Sequence, residues 1–376
     1  MRTRLLTLLL MLASLGLTLW IVEVGLRLAN HVSLLTTDNF VARAIDSVRQ
    51  PGLVVYDAQL GWAQAPNQQR RYGRGRTSSY TTGEFGERMP EPRVRPAQQG
   101  VILAIGDSFT AGAEVSDDET WPAQIEPLLG TSVINAGVLG YGIDQIVLRA
   151  EDLVPKLRPR FLLVGLLAVD SFRNSMSVYG GAPKPYFKIQ NGTLALHNVP
   201  VPRLASSTHE IGSLRAFLGR SYLVHFLMMR LNPSWWVANL QMREVSAAAE
   251  SVPISCLLMQ RLAQLRDRYD LHVGVIILYG GPEALANEPP AYGRALADCA
   301  TKAGLEVIDD FELLKTVREQ QGMEAYYSLW VMHDEKKVGL AVYQNYGHMS
   351  AEGNRLLAQL IATSFFEKTA GTVHGD

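Results

Sequence analysis

A serine follows directly on an apolar run in the stretch Val101–Thr110. The run is rich in β-branched residues and stops at Gly106-Asp107-Ser108, which is typical of a buried parallel strand that ends in a tight turn. Open α/β sheets bind ligands beyond the carboxyl ends of their strands. Ser108 is therefore a candidate nucleophile if a base reaches it. An ordinary turn, in which Asp107 and Ser108 bond to nearby backbone, also fits the tripeptide taken alone.

Three further groups of polar or glycine residues follow apolar runs later in the chain. The stretch Asn135–Gly142 is rich in glycine, so its backbone N–H groups can approach a ligand closely. Asp170 comes just after the apolar run 161–167, and His348 ends the stretch Asn345–His348 before the last predicted helix. Serine attack on an ester needs such a histidine as base, together with donors for the developing oxyanion. A histidine at a late helix entry can return over the first strand and meet Ser108.

Strands and helices alternate from about residue 100 onward. Strands are predicted at Val101–Ile105, Ser132–Asn135, Phe161–Leu167, Val273–Leu278 and Leu305–Ile308. Helices are predicted at 119–129, 144–157, 253–269, 292–303 and 351–366. The alternation predicts an α/β fold with a single parallel sheet of about five strands and helices on both faces. We place this domain at 99–370.

The N-terminus carries a long apolar segment. Arg2 and Arg4 precede Leu5–Val22, a run without a charge, and at the helical rise such a run spans about 27 Å, close to the thickness of a bilayer core. A cleaved signal peptide has a shorter apolar core and a small-residue cleavage site. We therefore predict that residues 1–28 are an uncleaved signal anchor, with the basic end inside and the rest exported. A cleaved signal peptide and a buried soluble helix are the alternatives.

Two long segments lie outside the alternating pattern. Residues 29–98 are polar and weakly periodic, and we interpret them as a membrane-proximal arm that lies across the domain; its arginines between 70 and 76 fit a solvated loop, anionic lipid or an acidic glycan. Residues 171–251 are too long for an ordinary connection and are interpreted as an insertion. The insertion contains the apolar stretch Leu214–Leu231 and Trp235-Trp236. A packed amphipathic helix, a lid, a substrate-binding face and a second membrane contact all fit it.

Composition and cysteine content exclude some classes of protein. Among the 376 residues, 35 Lys and Arg nearly balance 36 Asp and Glu, which argues against a nucleic-acid partner. A glycine-rich phosphate-binding motif does not follow the first strand, which disfavours nucleotide binding. Cys256 and Cys299 both fall in predicted helices. They pair in an oxidising compartment if they meet, and otherwise are buried thiols.

With these motifs, the chain from about 100 to 366 resembles the SGNH (GDSL-type) hydrolase superfamily. Gly106–Thr110 matches the nucleophile block, Asn135–Gly140 the glycine block, and Asn345–His348 the Asp-x-x-His block. The resemblance implies a flavodoxin-like fold with Ser108 as nucleophile, His348 as base, and the backbone N–H groups of Ser108 and Gly140 as oxyanion hole. The N-terminal helix, Leu60-Gly61-Trp62 and Gly140–Gln145 further resemble membrane-anchored bacterial members associated with acyl chemistry on cell-surface or exported polysaccharides.

Two positions depart from the pattern of that superfamily. Val169 stands where the pattern has an oxyanion-donating Asn, and Asn345 stands where it has the Asp that orients the histidine. An Asn carbonyl still accepts an imidazole N–H, so Asn345 is the expected third member of the site, although it lacks the charge that stabilises an imidazolium. Candidate supporting residues are Asn174 as a replacement donor, Asp309 and Asp334 as alternative acids, and Asp107 and Asp170 beside the nucleophile.

These features predict a membrane-anchored serine esterase that acts through an acyl-enzyme on acyl esters. The expected substrates are O-acyl groups of envelope or exported polysaccharide, or a small ester. The alternatives are an O-acyltransferase that uses the same site with a membrane-bound acyl-donor partner, and a catalytically silent glycan-binding protein. The prediction involves no metal, organic cofactor or nucleic acid. It places a single-pass protein in the bacterial cytoplasmic membrane, with the catalytic domain on the periplasmic or extracellular side.

Overall fold

The computed structural model describes residues 2–45, 53–72, 77–89, 102–203, 211–333 and 346–366. The helices are α1 (Arg2–Ala29), α2 (Phe40–Ile45), α3 (Ser108–Ala111), α4 (Trp121–Leu129), α5 (Ile143–Leu157), α6 (Gly212–Leu218), α7 (Tyr222–Leu231), α8 (Asn239–Gln241), α9 (Ser251–Tyr269), α10 (Ala291–Lys302), α11 (Phe311–Thr316), α12 (Met323–Ser328) and α13 (Ala351–Ile361). The strands are β1 (Val54–Asp57), β2 (Gly61–Gln64), β3 (Gln69–Tyr72), β4 (Ser78–Thr81), β5 (Ile102–Ile105), β6 (Val133–Asn135), β7 (Phe161–Leu167), β8 (Met176–Tyr179), β9 (Ala182–Pro183), β10 (Tyr186–Gln190), β11 (Thr193–His197), β12 (Met242–Glu244), β13 (His272–Leu278), β14 (Glu306–Asp309), β15 (Trp330–Met332) and β16 (Tyr346–Met349).

The central sheet has five parallel strands in the order β14-β13-β7-β5-β6. The prediction of a five-stranded parallel sheet flanked by helices is confirmed. In chain order the strands run 2-1-3-4-5, the flavodoxin-like arrangement, and the direction of winding reverses between β5 and β7. The carboxyl ends of these two strands therefore border the crevice in which such sheets bind ligands.

Burial follows the layering of this domain. In β7 and β13, every residue after the first is buried, because helices cover both faces of a parallel sheet. The helix α5 buries one face and ends at Arg158, whose left-handed backbone is followed by Pro159. Thr120 caps the start of α4, where its hydroxyl accepts a hydrogen bond from the N–H of Ala123 at 3.3 Å. The strands and helices predicted for this domain are present in the structure, and their bounds differ from the predicted ones by a few residues at most.

The described residues form two compact units. The N-terminal unit contains those of 1–50, 178–182 and 203–243, and the sheet unit contains those of 51–177, 183–202 and 244–376. The part of the arm from residue 53 to 89 lies in the sheet unit, and the predicted insertion 171–251 is divided between the two units.

The N-terminal unit is built around α1 and a small apolar core. Residues 4–29 are long and apolar enough to cross a membrane, and the apolar part of the helix is not buried by the rest of the protein. A signal sequence near the N-terminus can also be this long and this apolar. The core of the unit joins Val41 of the region after α1 with Ile211, Trp236 and Val237, so the first segment of the chain and residues 211–243 fold together.

A disulfide joins two helices of the sheet unit. Cys256 on α9 and Cys299 on α10 are bonded, with their Cα atoms 4.9 Å apart, within the range that a disulfide spans. The sequence left open whether these thiols meet, and in the structure they do. Structural disulfides persist in oxidising compartments and are rare in the cytosol.

Candidate active site

The serine and the histidine singled out from the sequence meet at the carboxyl edge of the sheet. Ser108 begins α3 directly after β5, and His348 lies on β16. The distance from Ser108 Oγ to His348 Nε2 is 2.9 Å. The carboxylate of Asp107 caps α3 by accepting a hydrogen bond from the N–H of Phe109 at 2.8 Å, and the ring of Phe109 packs against the imidazole with centroids 5.1 Å apart. These contacts fix the position of the Ser108 hydroxyl relative to the His348 imidazole.

The acid behind the histidine is Glu114. Its Oε2 lies 2.8 Å from His348 Nδ1 and accepts a second hydrogen bond, at 2.7 Å, from the backbone N–H of His348. Burial raises the pKa of Glu114, but the hydrogen bonds and the charge of His348 outweigh it and leave the pKa lowered. An ionised carboxylate only accepts hydrogen bonds, so Nδ1 carries the hydrogen and Nε2 presents its lone pair to Ser108.

A second histidine binds the other oxygen of the same carboxylate. His333 Nε2 lies 2.7 Å from Glu114 Oε1, so Glu114 bridges two imidazoles. The residue before His348 is a glycine for steric reasons. A Cβ on Gly347 would overlap both Glu114 Oε2 and His333 Nε2. The closeness of β16 to Glu114 thus depends on the absence of a side chain at this residue.

The arm fixes the loop that carries Glu114. Arg88, which is buried, donates hydrogen bonds to the carbonyls of Ala111, Gly112 and Val115, on both sides of Glu114. Its Nε also pairs with Asp117 at 2.8 Å. The hydroxyl of Ser78 on β4 donates to the carbonyl of Glu114 itself at 3.2 Å. The acid is therefore held in place by residues that precede the first strand of the sheet.

The arm also contacts the glycine loop that follows β6. Gly140 has a φ of +78°, which favours glycine. The indole N–H of Trp62 donates to the carbonyl of Leu139 at 2.9 Å, and the hydroxyl of Tyr141 donates to the carbonyl of Trp62 at 2.6 Å. Arg173 donates to the carbonyl of Tyr141 at 2.8 Å. With the carbonyls on both sides bound in this way, the orientation of the Gly140 backbone is fixed.

Below this loop, the first turn of α5 rests on a buried ion pair. Lys184 Nζ pairs with the carboxylate of Asp144, and both side chains are fully buried. The ammonium also donates to the carbonyls of Pro185 at 2.9 Å and Arg173 at 3.2 Å. Burial lowers the pKa of Lys184 and raises that of Asp144, while each charge opposes the shift of the other. The pair ties the segment between β9 and β10 to the helix after the glycine loop.

The sequence offered Asn345 as a neutral acceptor for His348, and Asp309 and Asp334 as alternative acids. Asn345 and Asp334 lie outside the described residues. Asp309 accepts hydrogen bonds from the hydroxyl of Tyr279 at 3.1 Å and from the N–H of Phe311 at 2.9 Å, so the proposal of Asp309 as partner of His348 is corrected. Both ring nitrogens of His348 are already bonded, to Ser108 and Glu114.

Asn174 is not available as a replacement oxyanion donor. Its carbonyl oxygen accepts the N–H of Asp144 at 3.1 Å, and its amide donates to the hydroxyl of Ser255 at 2.8 Å and to the carbonyl of Ser251 at 3.4 Å. The side chain is fully buried and is engaged on the helix side of the loop. The sequence-based suggestion for this residue is therefore wrong.

Asp170 lies behind the nucleophile rather than in the crevice. It is buried and pairs with Arg173. Burial and the adjacent carboxylate of Asp107 raise the pKa of Asp170 well above its usual range, against the opposing effect of Arg173. The raised pKa favours the protonated form of Asp170, which can donate a hydrogen bond to Asp107. Asp107 in turn caps the helix that begins with Ser108.

Glu114 and His333 are the functional candidates that the sequence reasoning missed. The available signal was an isolated acid six positions after Ser108, in the otherwise small and apolar stretch Ala111–Val115. Within the ranges that the structure describes, no group of three or more His, Cys, Asp or Glu side chains could hold a metal ion.

Comparison with known proteins gives one partial sequence match. No family model matches the chain. Over 81 residues, the chain is 35% identical to thioesterase 1/protease 1/lysophospholipase L1 of Escherichia coli K12, a stretch that covers 21% of this chain and 39% of that protein. The chain thus spans about two fifths of the length of the curated relatives it matches.

Several solved structures are similar at low identity. They include the acetyl xylan esterase AlAXEase, with 14% identity, coverage of 70% of this chain and 99% of that chain, and a TM-score of 0.38. A G-D-S-L family lipolytic protein from Desulfitobacterium hafniense has 13% identity, coverage of 71% and 100%, and a TM-score of 0.34. As its motifs predict, the chain resembles GDSL-type hydrolases. Its own function is inferred below from the geometry of the site.

Proposed function

We propose that this protein is a membrane-anchored serine esterase of the SGNH type that hydrolyses acyl esters. The observation that carries the proposal is the continuous hydrogen-bonded series from Ser108 through His348 to Glu114, with distances of 2.9 and 2.8 Å. Nucleophile, base and orienting acid are the three parts that serine acyl transfer requires. A glycan-binding protein would have no need for this series, and the carboxylate at His348 supplies the charge that Asn345 lacks.

In the proposed reaction, Ser108 Oγ attacks the ester carbonyl carbon while its proton passes to His348 Nε2. The ionised Glu114 stabilises the imidazolium that forms. When the tetrahedral intermediate collapses, the alcohol leaves with the proton from His348, and the acyl group remains on Ser108. Water then attacks the acyl-enzyme, His348 takes the proton of this water and returns it to Ser108, and the carboxylic acid is released.

The backbone N–H groups of Ser108 and Gly140 are the proposed oxyanion donors. The support for Gly140 is its left-handed backbone, together with the three hydrogen bonds to backbone carbonyls that hold its loop. Val169 contributes no donor from its side chain. Loss of one oxyanion donor typically costs about 10²–10³ in rate, so we expect slower turnover than a three-donor site would give.

The proposed substrates are O-acyl groups of envelope or exported polysaccharide. An exported location is supported by the basic end of α1, by the apolar length of that helix and by the Cys256–Cys299 disulfide. Ser108 and His348 are partly exposed, as attack on an ester carried by a polymer requires. The catalytic domain would then face the periplasmic or extracellular side of the cytoplasmic membrane.

The test compares hydrolysis of p-nitrophenyl acetate and release of acetate from acetylated polysaccharide by the full-length protein in detergent. We expect turnover that is abolished in Ser108→Ala and His348→Ala and unchanged in Ser328→Ala, an exposed serine far along the sequence. Absence of turnover on every ester by well-folded protein would overturn the proposal. If the acyl-enzyme is discharged only by added sugar and not by water, the protein is an acyltransferase with the same site.

A further inference from the structure

The N-terminal unit concentrates exposed apolar side chains. Among the described residues outside α1, the five most exposed large apolar side chains all belong to this unit: Leu35, Leu231, Phe217, Leu214 and Leu34. Leu35 is 90% exposed, Leu231 76% and Phe217 74%, whereas the highest value in the sheet unit is 49%, at Leu128. Clustered exposed apolar residues mark a contact surface for a protein or a membrane.

The later segment of this unit is also basic. Residues 211–243 contain four arginines and no lysine, aspartate or glutamate. Arg215 lies over the ring of Trp235 at 4.5 Å, and Arg230 lies over that of Phe226 at 3.5 Å. Apolar, aromatic and arginine side chains together are typical of segments that lie in the interface of a bilayer with anionic lipids.

Hydrogen bonds attach this segment to the end of α1. The carboxylate of Glu23 accepts the backbone N–H groups of Tyr222 at 2.8 Å and Leu223 at 2.6 Å, and the hydroxyl of Ser221 at 2.9 Å, so it caps α7. Glu23 comes directly after the apolar run 5–22. The helix α7 therefore begins at the level at which that run ends.

We propose that residues 211–231 lie in the headgroup layer of the membrane that α1 spans. Leu214, Phe217 and Leu231 would enter the acyl boundary, while Arg220 and Arg230 contact lipid phosphates. A bilayer is favoured over a protein partner because the attachment to α1 brings the surface to the membrane, and because the arginines match anionic headgroups. The inference rests on the membrane anchor of the proposed function, and it adds a second, peripheral contact.

The test uses spin labels on the full-length protein in vesicles of zwitterionic and anionic phospholipid. Because Cys256 and Cys299 are bonded to each other, an introduced cysteine is the free thiol to be labelled. Labels are placed by Phe217→Cys and Leu231→Cys, with Leu12→Cys in α1 as the lipid reference and Leu128→Cys in the sheet unit as the water reference. Collision rates with oxygen, which enters lipid, and with a polar nickel chelate, which does not, give the depth of each label.

We expect labels at 217 and 231 to collide more with oxygen than with the chelate, at a depth between those of the two reference labels. Replacing anionic by zwitterionic lipid should make both positions shallower. If labels at 217 and 231 behave like the one at 128 while the label at 12 is in lipid, the peripheral contact is refuted and the anchor stands. Shielding of both labels from both reagents would instead indicate a protein partner, and a water-exposed label at 12 would refute the anchor and the inference together.

Discussion

At the level of single residues, one carboxylate oxygen of Glu114 binds both the ring and the backbone of His348. This double contact fixes the rotation of the imidazole and the tautomer it adopts. It also places a negative charge where the proposed reaction generates an imidazolium, which a neutral acceptor cannot stabilise equally. The site is thus a Ser-His-Glu arrangement whose acid comes from the loop just after the nucleophile.

Glu114→Gln should therefore remove most of the activity while the protein remains folded. The amide presents an N–H or an uncharged oxygen to Nδ1, and the corresponding change in a serine protease lowers kcat by about 10⁴. The measurement is kcat on p-nitrophenyl acetate. The matched variant is Asn345→Ala, for which we expect less than a tenfold change. A larger loss of kcat in Asn345→Ala than in Glu114→Gln would show that Asn345, and not Glu114, orients His348.

His333 is expected to act on the reaction through Glu114. The contact with His333 helps to hold the pKa of Glu114 low, so in His333→Ala the carboxylate should become ionised only at a higher pH. The acidic limb of kcat/KM should consequently move to higher pH, whereas His333→Gln, which can still donate, should restore the original profile. A loss of activity at all pH values without movement of the limb would show that His333 only supports the fold.

At the level of elements, the arm holds both loops of the candidate site in position. Its strands β2 and β4 contribute Trp62 and Ser78, and Arg88 follows them. Together these residues bind the backbone on both sides of the acid and next to Gly140. The two loops that form the site are therefore positioned by a segment that precedes the central sheet in the chain.

Trp62→Phe tests this positioning with little change in volume. The ring still packs on Tyr141, but the N–H that binds the carbonyl of Leu139 is lost. A neutral hydrogen bond contributes about 1 kcal/mol, so we expect kcat to fall by about fivefold with little change in KM. Tyr56→Phe, which removes the arm hydroxyl that donates to Val201, is the control. Equal effects of the two variants would mean that the arm acts only through stability.

The buried pair of Lys184 and Asp144 makes a prediction about stability. Lys184→Met leaves the carboxylate of Asp144 buried without its cation, and breaking a buried pair in this way costs about 3–5 kcal/mol in the free energy of unfolding. Urea denaturation measures it. The double variant Lys184→Met with Asp144→Leu should recover much of the loss. An unchanged midpoint in the single variant would contradict the assignment of the pair as a supporting element.

At the level of the whole molecule, hydrophobic periodicity predicted the central sheet and its covering helices. The five strands are short apolar runs and the helices are amphipathic, so local patterns determined them. Ser108 and His348 could be placed because both stand at the ends of such elements. The pairing of Glu114 with His348 could not, since the loop of Glu114 takes its shape from Arg88 and from the close approach at Gly347, which are contacts distant in sequence.

Hydrophobic periodicity also could not predict which segments of the chain fold together in each unit. Residues 211–243 fold with α1 through Glu23 and the core around Trp236, although in the chain they lie between β7 and β13, two neighbouring strands of the central sheet. Likewise, the pairing of Cys256 with Cys299 depends on how α9 and α10 pack. Periodicity gives the faces of helices but not which helices become neighbours.

The central claim, that Ser108 is an activated nucleophile, is tested most directly by a fluorophosphonate probe and mass spectrometry of the labelled peptide. We predict labelling of the full-length protein at Ser108 alone, absent in Ser108→Ala and strongly slowed in Glu114→Gln. Labelling should be lost when the protein is unfolded. A folded protein that takes up no probe at Ser108, or one that reacts equally well without Glu114, would contradict the Ser-His-Glu mechanism.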